Sequence, residues 1–324
     1  MQLINVENLK IYFSGKTHHF GRRKIAADVV HAVDGVSFEI QQGEILSLVG
    51  ESGCGKTTTG MGILRLVDVH EGKITFRGED ILGLSYKDLR QFRSKAQMIF
   101  QATFSSLDPR MTVREIVSEP LRIHDNKRDE TAINELVIET LDYMGLKPGD
   151  LDKFPHEFSG GQARRIGVAR ALILRPDFIV ADEPTSGLDV SVAAGILNLM
   201  RDLRDRLKLT YLWISHNLHA VSFVSDRIAV MYLGKIVEIA KSEQLIERLY
   251  HPYTKALFSA VPMVNAEDRI ERIVLKGDIP SALNPPSGCR FHTRCNRRMP
   301  ICEKEEPELL EKDEGHFVRC HLYS

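Results

Sequence analysis

Three stretches of this sequence have residue types and spacings suited to phosphate chemistry. Gly50-Glu51-Ser52-Gly53-Cys54-Gly55-Lys56-Thr57 fits G-x-x-x-x-G-K-[ST] and follows the apolar run Ile45 to Val49. In that setting the glycines let the backbone curl so that N–H groups converge on phosphates. The Lys56 ammonium then reaches the β- and γ-oxygens, and the Thr57 hydroxyl takes a Mg²⁺ ion. Cys54 reads as a small loop residue. Further on, Phe178-Ile179-Val180-Ala181-Asp182-Glu183 is an apolar run ending in two carboxylates. Asp182 is expected to hold Mg²⁺, and Glu183 to polarise an attacking water as general base. His216 follows another apolar run, Tyr211 to Ile214, where it can reach a γ-phosphate and orient that base; a lone histidine is more often structural. A third stretch, Phe158-Ser159-Gly160-Gly161-Gln162, opens the helical-looking segment Ala163 to Leu174 and leaves backbone N–H groups exposed at a helix N-terminus. Since the chain already has a phosphate loop, this second anion site is expected to serve a nucleotide held mainly by a partner, which implies a dimer.

The elements that must position these groups read as an α/β fold. Short apolar segments at Ile45 to Val49, Phe178 to Ala181, Tyr211 to Ile214 and Ile228 to Tyr232 predict buried strands of a parallel sheet. Helical patterns at Thr57 to Leu66 and Val192 to Leu207 lie between them. Leu3 to Leu9 and Val36 to Ile40 predict antiparallel strands feeding that sheet. From about residue 89 to 175 the pattern changes to helices, at Val113 to Leu121 and Arg128 to Met144, before the Pro148-Gly149 break. This is expected to be an inserted helical subdomain. Gly15 to Ala27 is a basic surface loop whose Lys16, Arg22, Arg23 and Lys24 read as a solvated face. No internal repeat is present.

Whole-chain properties exclude several classes. With 43 Lys+Arg against 44 Asp+Glu and a formal charge of -1, the chain lacks an overall basic field, so nucleic acid is not an expected partner. No apolar run approaches the roughly 20 residues of a membrane helix, and the first five residues lack the basic region of a secretory signal. The chain therefore reads as cytosolic, or peripheral on the cytosolic face. After Tyr250 a proline-bearing, weakly periodic tail begins, including Pro252, Pro262, Pro280, Pro285, Pro286 and Pro300. It carries Cys289, Cys295, Cys302 and Cys320, with His292, His316 and His321 nearby. Four soft ligands in a cytosolic chain suggest a metal. Structural zinc, a Cys₄ iron–sulfur cluster, and free thiols or disulfides all stay open on spacing, although the C-x₂-C pairs common in zinc sites are absent.

Taken together, these motifs resemble the ATP-binding subunits of ABC transporters, and the resemblance covers almost the whole chain. It implies a P-loop NTPase (RecA-like) parallel sheet core with an N-terminal antiparallel β subdomain, the inserted helical subdomain and a small cysteine-rich metal-binding module. A nucleotide-binding domain over 1–250 and a C-terminal domain over 251–324 follow. By the resemblance, Gly50 to Thr58 is the Walker A loop, so Gly50, Ser52, Gly53, Cys54, Gly55, Lys56, Thr57 and Thr58 surround the phosphates. Gln101 is the Q-loop residue that touches Mg²⁺ and water. Ser159, Gly160, Gly161 and Gln162 form the signature, Asp182 and Glu183 are Walker B, Ser186 to Asp189 is the D-loop and His216 the switch histidine. Adenine is expected to stack on Phe13, with Tyr12 as the alternative.

Within the superfamily the chain is most similar to the ATPases of oligopeptide and dipeptide importers, of the type lettered F. The likeness is carried by Gln97 to Gln101 with Ser105 to Arg110, Pro155 to Gln162, His251-Pro252-Tyr253-Thr254, and Gly277 to Pro280 with Cys289. It implies two ATPase subunits head to tail, as a homo- or heterodimer, on two transmembrane permease subunits at the cytoplasmic face, with a solute-binding protein acting indirectly. ATP and Mg²⁺ are the expected cofactors, joined by a [4Fe-4S] cluster on the four cysteines, with zinc as the lesser alternative. Nickel or oligosaccharide cargo, or a soluble non-transport ATPase, are the competing readings. Three places depart from the family pattern: Ala102-Thr103-Phe104 replaces Asp-Pro-Tyr, Ala163-Arg164 stands where Arg-Gln is typical, and Asn217 replaces an aspartate. None removes a catalytic group; they bear on coupling to the membrane subunits.

Overall fold

The computed structural model describes residues 1–15, 19–20, 23–24, 28–101, 106–125, 128–260 and 272–324. Lys16, Arg22, Ala102 to Ser105 and Pro262 lie outside the described residues, as do the side chains of Arg23 and Lys24. The described residues sort into two compact units. One comprises Met1–Leu3, Ile40–Ile45 and Glu79–Ile214; the other comprises Ile4–Glu39, Leu46–Gly78 and Ser215–Ser324.

In the first unit a parallel sheet runs in the order Thr210–Ser215, Phe178–Asp182, Ala96–Ile99. Ile214 is in register with Asp182, and Ala181 with Ile99. Every residue of the strands Phe178–Asp182 and Thr210–Ser215 is buried. Each large apolar side chain so placed contributes about 1.5–3 kcal/mol, which is why these read as continuous apolar runs rather than alternating ones. The strand Ala96–Ile99 lies inside the stretch expected to be a helical insertion. Its Ala-Gln-Met-Ile is too short and too mixed to announce itself. Beyond it come helices Val113–His124, Glu130–Tyr143 and Gly160–Leu172. Their starts follow capping chemistry: Thr112 and Glu115 form a capping box, and the Asp129 carboxylate accepts the Thr131 N–H at 3.0 Å. The first of these helices continues through Pro120 to His124, three residues past its expected end.

The second unit holds a sheet in the order Leu310–Asp313, His316–Val318, Lys235–Lys241, Arg227–Tyr232, Ile45–Val49. The last two strands are parallel, with Val230 opposite Val49. The tail thus contributes strands, which its weak periodicity did not suggest. Their turn is at Glu314-Gly315, where Gly315 takes φ 72. Glu238, fully buried on Lys235–Lys241, anchors this edge: it accepts the N–H groups of Tyr250 at 2.8 Å and His251 at 2.9 Å, and lies 2.8 Å from His316 Nε2. A second sheet places Gln2–Ser14 between Val29–Gln41 and Glu71–Phe76, the last pair antiparallel with Val6 opposite Ile74. The strand Glu71–Phe76 was not expected, because only its second half is apolar.

Candidate functional site

The glycine-rich stretch Gly50 to Thr57, the candidate phosphate loop, belongs to the second unit. It leaves the buried strand Ile45–Val49 and opens helix Lys56–Ile63, whose N-cap is Gly55. Gly50 and Gly55 have φ 153 and 107, and a Cβ on them would sit 2.1 Å from the Met231 carbonyl oxygen and 2.2 Å from that of Ala32. Only glycine permits this path. Lys56 is 7% exposed, and its ammonium donates to the carbonyls of Gly50 at 2.8 Å and Glu51 at 3.0 Å. That places a desolvated cation in the curl of the loop beside a helix N-terminus, the donor set a triphosphate and its Mg²⁺ require. Cys54 is buried, and burial raises its thiol pKa despite the neighbouring Lys56. Ser52 and Gly53 are exposed.

Of the two candidate aromatics, Tyr12 is committed elsewhere. Its ring lies 4.4 Å from that of His31 and 4.9 Å from that of His70, and its hydroxyl donates to Asp34 at 2.6 Å. Phe13 is 43% exposed, so it is the one with a face to offer. His216 is exposed at the end of strand Thr210–Ser215. The following Asn217, a departure from the family pattern, has a local use: it caps helix Leu218–Val224 by accepting the Ala220 N–H at 3.2 Å.

The remaining candidates belong to the first unit. Asp182 closes a buried strand and is itself 4% exposed; Glu183 is 8% exposed. Glu183 adopts φ 49, a left-handed conformation costly for a side chain of its kind, fixed by its N–H donating to Ile214 at 2.9 Å. The loop continues through Ser186 to Asp189, whose carboxylate caps helix Val190–Leu207 by accepting the Val192 N–H at 2.9 Å. Ser159 and Gln162 form a reciprocal capping box on helix Gly160–Leu172, which starts three residues before the expected Ala163. The Ser159 oxygen accepts a hydrogen bond there, which leaves its O–H available as a donor alongside the N–H groups of Gly160 and Gly161. Arg164, which sequence reasoning noted only as a departure, is 6% exposed. Its guanidinium donates to the carbonyls of Gln101 at 2.7 Å, Phe100 at 3.2 Å and Ser186 at 3.1 Å. It ties the backbone of Gln101 to the Ser186 loop. The spacing signal for this is absent, since the partners lie 63 and 22 positions away.

The metal centre expected on the tail cysteines finds no support in the described geometry. Among the described residues, which include all four, no three Cys, His, Asp or Glu side chains converge on a point that a metal ion could take. Burial pushes the Cys289 thiol up to about 12 and the Cys320 thiol up to about 11. Four cysteines within one segment fixed the residue types but not their side-chain directions.

A family described as ABC transporter matches residues 33–186, and one described as oligopeptide/dipeptide transporter, C-terminal region, matches 237–302. A putative oligopeptide transport ATP-binding protein of Bacillus subtilis, YkfD, is 50% identical over 325 residues, covering 100% of this chain and 96% of the relative. The chain belongs to the ABC-type ATPases of the oligopeptide/dipeptide transporter family. Two F-lettered members agree: AppF of Bacillus subtilis is 49% identical over 99% of this chain and 98% of its own length. OppF of Salmonella typhimurium is 43% identical over 98% and 95%. Among solved structures, a dimeric ATP-binding cassette in a post-hydrolysis state bound to ADP and Pi aligns with TM-score 0.63 at 26% identity. It covers 74% of this chain and 99% of that one. A nucleotide-free cassette from an ABC transporter aligns with TM-score 0.64 at 25% identity, covering 80% and 99%. The cassette fold, with its P-loop core and antiparallel β subdomain, follows. Among the described residues no helix of this ATPase is long and apolar enough to cross a membrane.

Proposed function

We propose that this ATPase hydrolyses MgATP to drive import of dipeptides or oligopeptides, working as a dimer of ATPase subunits bound to two permease subunits at the cytoplasmic face of the membrane. The observation that carries the catalytic part is Glu183, held in a left-handed conformation directly after the buried Asp182. Strain of that kind is retained where a carboxylate must point in one direction. Glu183 takes the proton of the attacking water, Lys56 neutralises charge on the transferred phosphoryl group, and His216 orients the base. Asp182, Thr57 and Gln101 would hold Mg²⁺, which supplies charge neutralisation at the β- and γ-oxygens. Phe13 stacks on adenine. Ser159 with the N–H groups of Gly160 and Gly161 completes a site whose triphosphate sits on the second subunit, so nucleotide favours the closed dimer by differential affinity. Support for peptide cargo comes from the relatives' names and from the tail, which matches the oligopeptide/dipeptide type over 237–302.

Glu183→Gln tests this reading. Turnover should fall by about 10²–10⁴-fold, while ATP-dependent dimerisation persists in size-exclusion chromatography; wild-type hydrolysis by the variant would sink the assignment. Purification with two membrane subunits and peptide uptake by the reconstituted complex test the transport part. For the tail, a [4Fe-4S] cluster rests on the family resemblance and on the backbone bond from Cys289 N–H to the Cys302 carbonyl, 2.8 Å, which joins two of the cysteine segments. Anaerobically purified protein free of iron and of brown colour removes that reading.

A further inference from the structure

The phosphate loop contains one acidic residue, Glu51, in a segment whose other features all favour an anion. Uncompensated, a carboxylate there repels the phosphates that the N–H groups and Lys56 attract. The compensation comes from the cysteine-bearing tail. Arg294 is only 8% exposed along its side chain and grips Glu51 with both ends of its fork, Nη1 to Oε2 at 2.6 Å and Nη2 to Oε1 at 3.1 Å. This is the bidentate geometry in which an arginine–carboxylate pair is strongest. The contact is braced beneath. The guanidinium carbon lies 6.0 Å from the centre of the Tyr232 ring, against which Phe291 packs edge-on at 5.1 Å. Phe291 also touches Tyr253, at 5.4 Å between ring centres, and the Tyr253 hydroxyl accepts the Glu51 N–H at 2.8 Å. A second tail arginine, Arg290, donates to the Leu233 carbonyl at 2.8 Å, in the turn whose Gly234 N–H donates to Cys54 of the loop at 2.9 Å.

We propose that Arg294 is a positioning and charge-compensating residue for nucleotide binding: the tail holds the phosphate loop in its binding shape and cancels the charge of Glu51. The inference rests on reading Gly50 to Thr57 as the phosphate loop. In this role the tail sets ATP affinity rather than the rate of the chemical step. The two partners of the pair then have opposite effects on binding when each is neutralised alone. A contact serving only to hold the fold together would make both losses harmful in the same way.

The experiment measures the MgATP dissociation constant of the purified full chain by calorimetry, with steady-state hydrolysis alongside, at about 0.05 M and about 0.5 M salt. Arg294→Ala should weaken MgATP binding about tenfold at low salt, and the defect should shrink at high salt, where the Debye length falls to a few ångströms. Glu51→Gln should tighten binding about two- to threefold, since it leaves Arg294 unopposed. The double variant should return to within about threefold of the starting chain, and Arg294→Lys, which keeps the charge, should weaken binding by no more than about threefold. Unchanged affinity in Arg294→Ala overturns the proposal, as does a weakening of equal size and no salt dependence in both single variants. Should Arg294→Ala fail to fold, the sign of the Glu51→Gln effect and the Arg294→Lys value still decide. Lys56→Ala separates the two levels: if it hydrolyses normally the phosphate-loop reading itself fails, whereas loss of hydrolysis there with no effect at Arg294 removes only the present inference.

Discussion

Arg164→Met removes a side chain that joins the Gln101 backbone to the Ser186 loop, and the structure gives its cost. Of three bonds it donates to backbone carbonyls, those at 2.7 Å and 3.1 Å come from separate nitrogens, while the 3.2 Å contact to Phe100 shares a nitrogen with the shortest. Two bonds from a charged donor contribute about 3–6 kcal/mol between them. Against that stands the desolvation of the guanidinium, which is strong enough to lower its pKa and takes back roughly half. The net expectation is a loss of about 2 kcal/mol, or about 1 M in urea midpoint at a slope typical for this size. Trp213 provides the assay. It is the single tryptophan of the chain, fully buried in the first unit, so its fluorescence reports the unfolding of its surroundings. Hydrogen exchange of the segments 98–101 and 183–189 should accelerate together, and kcat should fall more than KM rises. Arg164→Gln retains one amide donor and should show about half the loss. A midpoint within about 0.2 M of the starting chain, with both segments exchanging as before, would refute the reasoning.

Two further perturbations have definite signs. Gly161→Ala places a methyl 2.5 Å from Val192 Cγ1 on helix Val190–Leu207. A valine in a helix has little rotamer freedom, so the signature helix must shift, at about 1–3 kcal/mol and with reduced hydrolysis; adding Val192→Ala should restore both, read by thermal unfolding and ATPase rate. His251 is wholly buried, and burial drives its pKa down to about 4 even though Glu238 opposes the shift. Its folded value lies below its unfolded one, so the unfolded chain binds the extra proton, and stability present above about pH 6.5 is lost as pH falls toward 4. The loss amounts to about 3 kcal/mol, measurable as urea midpoints across that range. His251→Asn, which keeps an acceptor for the Tyr253 N–H that Nδ1 now accepts at 3.1 Å, should flatten the dependence.

The parts of this protein that were legible in the sequence are those whose chemistry is local. Ile45 to Val49, Phe178 to Asp182 and Thr210 to Ser215 are buried on all sides, so their apolar runs mark them, and the glycine loop is recognisable because its glycines are sterically compelled. Ser159 and Gln162 cap their own helix within four residues. What escaped depends on distant partners. Arg294 meets Glu51 across 243 positions, and nothing near either residue hints at the other. The hairpin that carries His316 is an edge whose worth lies in the buried carboxylate of Glu238. The cysteines form a persuasive local pattern, but where their side chains point depends on the turns between them.

The composition of the second unit has a consequence for how the protein is made. Its strand Ile45–Val49 pairs with Arg227–Tyr232, its buried Glu238 meets His316, and its Tyr323 hydroxyl donates to the Tyr250 carbonyl at 3.1 Å. Every one of those partners is synthesised long after the phosphate loop. The first unit is nearly contiguous, from Glu79 to Ile214, and can close while translation continues. The glycine loop cannot acquire its contact with Arg294 until another 243 residues have been read. A message cut short before Arg294 therefore yields a chain in which the glycine loop is present and its tail support is not.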